Sequence, residues 1–288
     1  MNTIAPKRPI LRYHGGKWRL APWIIGHFPS HRVYVEPFGG AASVLLRKAR
    51  SYSEVYNDLD GDVVNLFRVL REPAKADELR RLLYLTPFAR NEFLRSYEES
   101  KDDIDRAHMM LCRAFMGHGS ASMTREHRTG FRAQANKNGT TPARDWANFP
   151  EYIPAVVGRL RGVLIENRPA VQVIQKQDAP TTLSYCDPPY VSSTRRGLRI
   201  DSLDHRYKHE MTDDDHRELA GVLHAVQGMV VLSGYPCKLY DCELYSDWHR
   251  MECQHMADGA RPRTEVVWLN PACSRALEAC RSQLRLIA

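Results

Sequence analysis

Short apolar runs closed by turn residues alternate with stretches of helical periodicity at both ends of this chain. Val33-Tyr34-Val35-Glu36 predicts a buried strand, Pro37-Phe38-Gly39-Gly40 a tight turn, and Ala41–Ala49 a helix offering Val44, Leu45 and Leu46 to a core. Glu54–Asn57 predicts a second strand, and Gly61–Arg71 a helix with Val63, Val64, Leu66, Phe67 and Leu70 facing inward. A helical stretch, Leu20–Phe28, precedes both strands. Later, Thr181–Tyr185 reads as a strand ended by Pro188 and Pro189, which lack the N–H a ladder needs. A helix from an N-cap at Thr212 to Val226 leads into a strand at Met229–Ser233. Thr264–Leu269 predicts a late strand, the reversed member at the sheet edge. Alternating strands and helices predict an α/β, Rossmann-like sheet with helices on both faces.

The middle of the chain has a different pattern. Ala74–Leu85, Pro87–Glu99 and Asp102–Met116 are helical, and a loop-rich stretch follows. The expected organisation is a catalytic domain built from residues 1–71 and 162–288, with an inserted, mainly helical domain at 72–161.

Composition narrows the class. With 288 residues, 43% of them hydrophobic, the chain can bury a sizeable core. Apolar runs such as Met229–Leu232 are too short to span a membrane, and Met1–Arg12 lacks the apolar centre of a signal peptide, so a cytoplasmic protein is expected. Seven cysteines without a CxxC pair read as reduced thiols, and His205, His209 and His216 lack metal-ligand spacing and read as surface or DNA-contacting residues; no metal is expected. The net charge of +7 invites a polyanion. It concentrates in Cys112–Arg144, where Arg113, Arg125, Arg128, Arg132, Lys137 and Arg144 face only Glu126 among polar neighbours suited to phosphates and base edges. A solvated loop is the equal alternative there. A second basic loop, Val191–Lys208, carries Arg195, Arg196, Arg199, Arg206 and Lys208 against Asp201 and Asp204.

The strongest chemical signal is Tyr185–Tyr190, YCDPPY. An exocyclic amine on a flat base is a poor nucleophile because its lone pair is delocalised into the ring. One N–H bonded to the Asp187 carboxylate and the other to the Pro188 carbonyl would aim that lone pair at a methyl donor. Pro188 and Pro189 would hold the carbonyl in place, and Tyr190 would stack on the base. Upstream, the glycine turn after Glu36 suits close approach of a nucleotide-like ligand, although many such turns only connect elements. Asp58, at the end of the next strand, suits ribose hydroxyls or, as Asp60 does, a helix N-cap. Lys17, after Gly15 and Gly16, could pair with an amino-acid carboxylate or sit solvated at the surface.

Taken in order, these segments resemble the Dam-type DNA adenine-N6 methyltransferases. Tyr13–Ile24 (YHGGKWRLAPWI) is similar to the family's WAGGK motif, Val35–Val44 (VEPFGGAASV) to EPFxGxGS and Asn57–Asp60 to the ADIN-type motif, and YCDPPY is identical to the catalytic string. The resemblance implies S-adenosylmethionine as donor, held by Tyr13, Gly15, Gly16, Lys17, Glu36, Pro37, Phe38, Gly39, Gly40, Asp58 and Asp187. It implies double-stranded DNA as partner, a flipped adenine at Asp187, Pro188, Pro189 and Tyr190, and target recognition by the basic insertion. Tyr13 stands where tryptophan is common, and Ala42 where a second glycine is common, a change that suits a helix start. The NVPFG string of GATC readers is absent after Leu111-Cys112-Arg113, so GATC is not implied; Thr129–Arg132 (TGFR) looks more like phage-encoded members. Cytosine N4, RNA or protein amines, and a non-catalytic DNA-binding role remain alternatives at this level.

Overall fold

The computed structural model describes residues 5–119, 123, 125, 128–133, 140–194, 208–257 and 261–287. Five short strands run parallel: β1 (Val33–Glu36), β2 (Ser53–Asn57), β3 (Val163–Glu166), β4 (Thr182–Cys186) and β5 (Met229–Gly234). Two longer strands, β6 (His249–Ala257) and β7 (Arg261–Leu269), form an antiparallel pair, and the sheet order is β3-β2-β1-β4-β5-β7-β6. The two-residue period of a strand sends neighbours to opposite faces. Tyr34, Tyr56, Leu183, Tyr185 and Val231 join one apolar cluster, while Cys186, Val230 and Leu232 join a second on the other side.

Helices cover both faces. The first cluster takes in α1 (Ala21–Ile25), α2 (Gly61–Arg71) and part of α10 (Pro271–Ile287); the second takes in α8 (Ala170–Lys176) and α9 (Asp213–Ala225). The boundaries of α2 and α9 follow from their caps. Asp60 accepts the Asp62 N–H at the start of α2, and Thr212 and Asp215 form a reciprocal capping box on α9.

Residues 72–161 supply α3 (Pro73–Leu85), α4 (Arg90–Arg95), α5 (Asp103–Met116), α6 (Pro142–Asn148) and α7 (Ile153–Leu160). Their apolar residues Leu79, Phe93, Met110, Phe115, Trp146 and Phe149 belong to the same cluster as Phe67 of α2, so this block is packed onto the sheet domain through α2. The third helix of the expected set is confirmed by its cap: Asp102 accepts from the Asp105 N–H.

Four expectations change. Residues 41–48 form successive turns rather than a helix, because Gly40 (φ +47°) and Ala42 (φ +52°) both take left-handed backbone; Ala42 therefore sits in a strained turn, at a cost of about 1 kcal/mol, and not at a helix start. The helix expected at Pro87–Glu99 is only Arg90–Arg95. Strand β7 is reversed as expected but lies inside the sheet between β5 and β6, so β6 holds the edge. Finally, His216 is fully buried and hydrogen-bonded to the Tyr240 hydroxyl (2.9 Å), which removes it from any surface role.

Candidate active site

Strands β1 and β4 are neighbours, yet the chain leaves β1 toward β2 and leaves β4 toward β5. This divergence opens a crevice at their carboxyl ends, the place where open α/β sheets bind ligands. The turn Pro37–Gly40 and the segment Asp187–Tyr190 both emerge there. A cavity of about 340 Å³ follows, lined by Tyr13–Lys17, Glu36–Ala41, Asn57–Asp60, Pro169–Val171, Asp187, Pro189 and residues 208–211 at the end of the second basic loop.

The glycine turn is held by its neighbours' backbone and side chains. Gly39 N–H donates to the Asn57 carbonyl (2.7 Å), Gly40 N–H to Asp58 Oδ2 (2.7 Å), and the Tyr56 hydroxyl to the Gly40 carbonyl (2.7 Å). A Cβ on Gly39 would lie 2.1 Å from the Tyr56 ring, so only glycine fits beneath that ring. Asp60 N–H donates to the other oxygen of Asp58 (2.8 Å), while Asp60 itself caps α2. The two acidic residues thus divide the roles: Asp58 faces the cavity and braces the turn, and Asp60 holds the helix. Burial raises the Asp58 carboxyl to about 6. Glu36 is also buried, which raises it to about 8 despite donors from Tyr34 Oη (2.7 Å) and Leu45 N (2.9 Å) on Oε2. Asn57 ties the cavity floor together by donating to the Pro37 and Arg168 carbonyls.

On the opposite wall, Lys17 is 3% exposed and is no surface lysine. Its Nζ donates to Asp187 Oδ1 (2.8 Å), the Tyr190 hydroxyl (2.6 Å) and the Gly15 carbonyl (3.2 Å), and lies 3.3 Å from Glu265 Oε1. Ser233 Oγ donates to the same Asp187 oxygen (3.0 Å) and exchanges a hydrogen bond with the Tyr185 hydroxyl (2.8 Å). Among the described residues, Asp187 Oδ2 accepts no hydrogen bond. Burial raises the Asp187 carboxyl to about 6, opposed by the Lys17 ammonium and reinforced by the Glu265 charge. Tyr190 stacks on Tyr235 with centroids 4.3 Å apart and planes within 21°.

Sequence reasoning missed Ser233, Tyr235 and Glu265. Gly234-Tyr235-Pro236 follows a strand much as the catalytic string does, and Glu265 is a lone carboxylate entering the apolar run Val266–Leu269. Both were readable signals: a buried charge requires a partner.

The basic residues separate by burial. Arg113 is 3% exposed, and its guanidinium is spent on the Ser96 and Met123 carbonyls, so it cannot meet a phosphate; it is a structural residue. Arg125 and Arg128 are exposed, the first paired with Glu99 (3.1 Å) and the second set over the Tyr97 ring. Arg132 is half-buried and donates to the Phe115 carbonyl (3.2 Å). Lys137, and Arg195, Arg196, Arg199 and Arg206 of the second loop with Asp201, Asp204 and His205, lie outside the described residues. Lys208 donates to Asp60 Oδ1 (2.9 Å), and His209 lines the cavity. The basic segment closes on itself: Gly117 bridges Phe131, His118 N–H donates to the Gly130 carbonyl, and Arg132 N–H to the Met116 carbonyl.

Among the described residues no helix is long and apolar enough to cross a membrane, and no group of three or more His, Cys, Asp or Glu could hold a metal. The seven cysteines are free thiols.

A doubly wound sheet with a glycine turn and an Asp-Pro-Pro-Tyr segment meeting at its switch point defines a Rossmann-like methyltransferase. Residues 13–257 match the D12 class N6 adenine-specific DNA methyltransferases, and the chain belongs to that family. It is an enzyme that methylates adenine N6 in DNA, rather than cytosine, RNA or a protein amine. No curated protein matches the chain.

Proposed function

We propose that the switch-point cavity binds S-adenosylmethionine and that Asp187 receives the amino group of an adenine extruded from double-stranded DNA. The observation that carries this reading is the asymmetry at Asp187: Lys17 and Ser233 both bond Oδ1, leaving Oδ2 to orient an amine. The cavity suits the donor's chemistry. Phe38, Leu59, Pro169 and Val171 offer apolar surface for an adenine ring, Asp58 offers an acceptor to ribose hydroxyls, and carboxylates outnumber cations along the wall, as a sulfonium requires. Tyr13, Gly15, Gly16 and the Glu36–Gly40 turn complete the enclosure. When bound, the donor supplies an electrophilic methyl group.

The protein's own residues do the rest. Asp187 Oδ2 and the Pro188 carbonyl take the two amino N–H groups, which turns the nitrogen lone pair out of conjugation and stabilises the positive charge it gains. Pro188 and Pro189 keep that carbonyl fixed. The Tyr190–Tyr235 pair supplies aromatic surface for the extruded base, whose unstacking costs a few kcal/mol. Residues 72–161 act as the target-recognition unit on a catalytic domain of 1–71 and 162–288. Exposed Arg125 and Arg128, with Arg132 and Lys137, follow the phosphates.

Asp187→Ala tests the assignment. Methyl transfer from tritiated S-adenosylmethionine to duplex DNA is expected to vanish while the melting profile persists; a variant that still transfers methyl groups would sink the proposal.

A further inference from the structure

Glu265, on β7, is 1% exposed, and neither carboxylate oxygen has a hydrogen-bond donor among the described residues. An ionised carboxylate is seldom left so; buried charges are paired and hydrogen-bonded, and exceptions call for an explanation. The Lys17 ammonium is 3.3 Å away, but its three protons are already directed to Asp187, Tyr190 and the Gly15 carbonyl. Glu265 therefore receives the lysine's charge without its hydrogen bonds. On its other side His255 Nε2 stands 3.7 Å from Oε2. Asp187, Tyr185 and Tyr235 feel the Glu265 charge as well, and Arg263, two residues earlier on the same strand, lies over the Tyr235 ring.

We propose that Glu265 is a positioning residue for methyl transfer: acting through Lys17, it divides the ammonium's charge between two carboxylates and so keeps Asp187 a strong acceptor for the adenine amine. With one carboxylate, Lys17 would neutralise Asp187 and weaken its hold on the developing cation. With two, the site keeps one net negative charge, matched to a nitrogen that turns positive as the methyl arrives. Both carboxylates reach one ammonium, at 2.8 and 3.3 Å, which puts their oxygens within about 6 Å of each other and makes their interaction strong inside a protein. The inference rests on the assignment of Asp187 as the amine acceptor.

The test is the pH dependence of kcat/KM and kcat for Glu265→Gln, with tritiated S-adenosylmethionine and kilobase duplex DNA propagated without adenine methylation. Removing a like charge at this distance should move the acid limb down by about one pH unit, while kcat at pH 8 falls about tenfold. A purely structural role would lower the rate equally at every pH and leave the limb in place, and that result overturns the proposal. Glu265→Asp keeps the charge; its limb should stay within about 0.3 unit of the unaltered enzyme. This second variant decides the matter if Glu265→Gln does not fold, because a limb displaced by a full unit in Glu265→Asp would also overturn the role. His255→Gln should leave the limb unchanged; its disappearance would assign the titration to the histidine and overturn the proposal. Asp187→Ala separates the two readings: retained transfer there removes the acceptor assignment itself, whereas its loss beside an unmoved limb in Glu265→Gln removes only the role of Glu265.

Discussion

Replacing Lys17 by methionine removes one positive charge from between two buried carboxylates and leaves a side chain of similar length. Breaking a buried pair in this way typically costs 3–5 kcal/mol, because the partner is left uncompensated. Here the cost should depend on pH, and its sign follows from the native titration of Asp187. That carboxyl is raised to about 6, chiefly by burial, with the Lys17 ammonium the largest opposing influence. A group whose pKa is raised by folding holds its proton in the native state when the unfolded chain has lost it. The contribution of Asp187 to stability therefore declines as pH rises from the ordinary aspartate value toward 6 and is level above it. Lys17→Met removes the attraction of an ammonium 2.8 Å away while the Glu265 repulsion, already present in the native titration, stays; at about 3 kcal/mol, between the values for bulk water and for an effective dielectric of about 20, this extends the declining window upward by about two pH units. The stability gap between Lys17→Met and the unaltered enzyme should widen by about 3 kcal/mol between pH 5.5 and pH 8.5. Urea denaturation of both proteins at the two pH values measures it. An equal gap at both would refute the idea that this ammonium is shared by ionised Asp187 and Glu265.

Three further outcomes are expected. Gly39→Ala places a methyl group 2.1 Å from a Tyr56 ring that is pinned by its hydroxyl and by Phe67, so it should cost about 1–3 kcal/mol and weaken donor binding in calorimetry; native affinity would contradict the packing argument. Arg128→Ala should weaken DNA binding and reduce the slope of log affinity against log salt by about one, and an unchanged slope would exclude a phosphate contact. Arg113→Met should instead lower the urea midpoint, since it leaves the Ser96 and Met123 carbonyls without their buried donor, and should leave the salt slope of the folded protein untouched.

What could be read from the chain depended on how local its cause was. Helices α2 and α9 are announced by caps and apolar stripes within a few residues, and they appear where those signals place them. The motif residues Gly39, Asp58 and Asp187 were legible because each lies within three residues after a buried strand, and the sheet brings strand ends together. Strand β6 was not, since its sequence HRMECQHMA has neither an apolar run nor strict alternation; pairing with β7 along nine residues makes it a strand. Arg113 could not be sorted from Arg128 by composition, because both sit in one basic stretch and both lie over Tyr97; only burial and the hydrogen bonds of Arg113 to the Ser96 and Met123 carbonyls distinguish them. The turns at 41–48 had the composition of a helix, and left-handed Ala42 overrode it.

The closed neck of the basic segment has a consequence for how such an enzyme can change. Gly117 and Phe131 join its two ends, and Phe131 packs against Phe88 and Phe93, so the neck is anchored to the helices. Doubling the length of a loop closed in this way costs only about 0.6 kcal/mol of closure entropy. Substitutions at exposed positions such as Arg125 and Arg128 therefore leave the switch-point crevice undisturbed, whereas buried Met123, whose carbonyl accepts from Arg113, is fixed by the core. Under the target-recognition role proposed for residues 72–161, a lineage could move from one recognition sequence to another through those exposed positions, keeping the same Lys17, Asp187 and Glu265 beneath them.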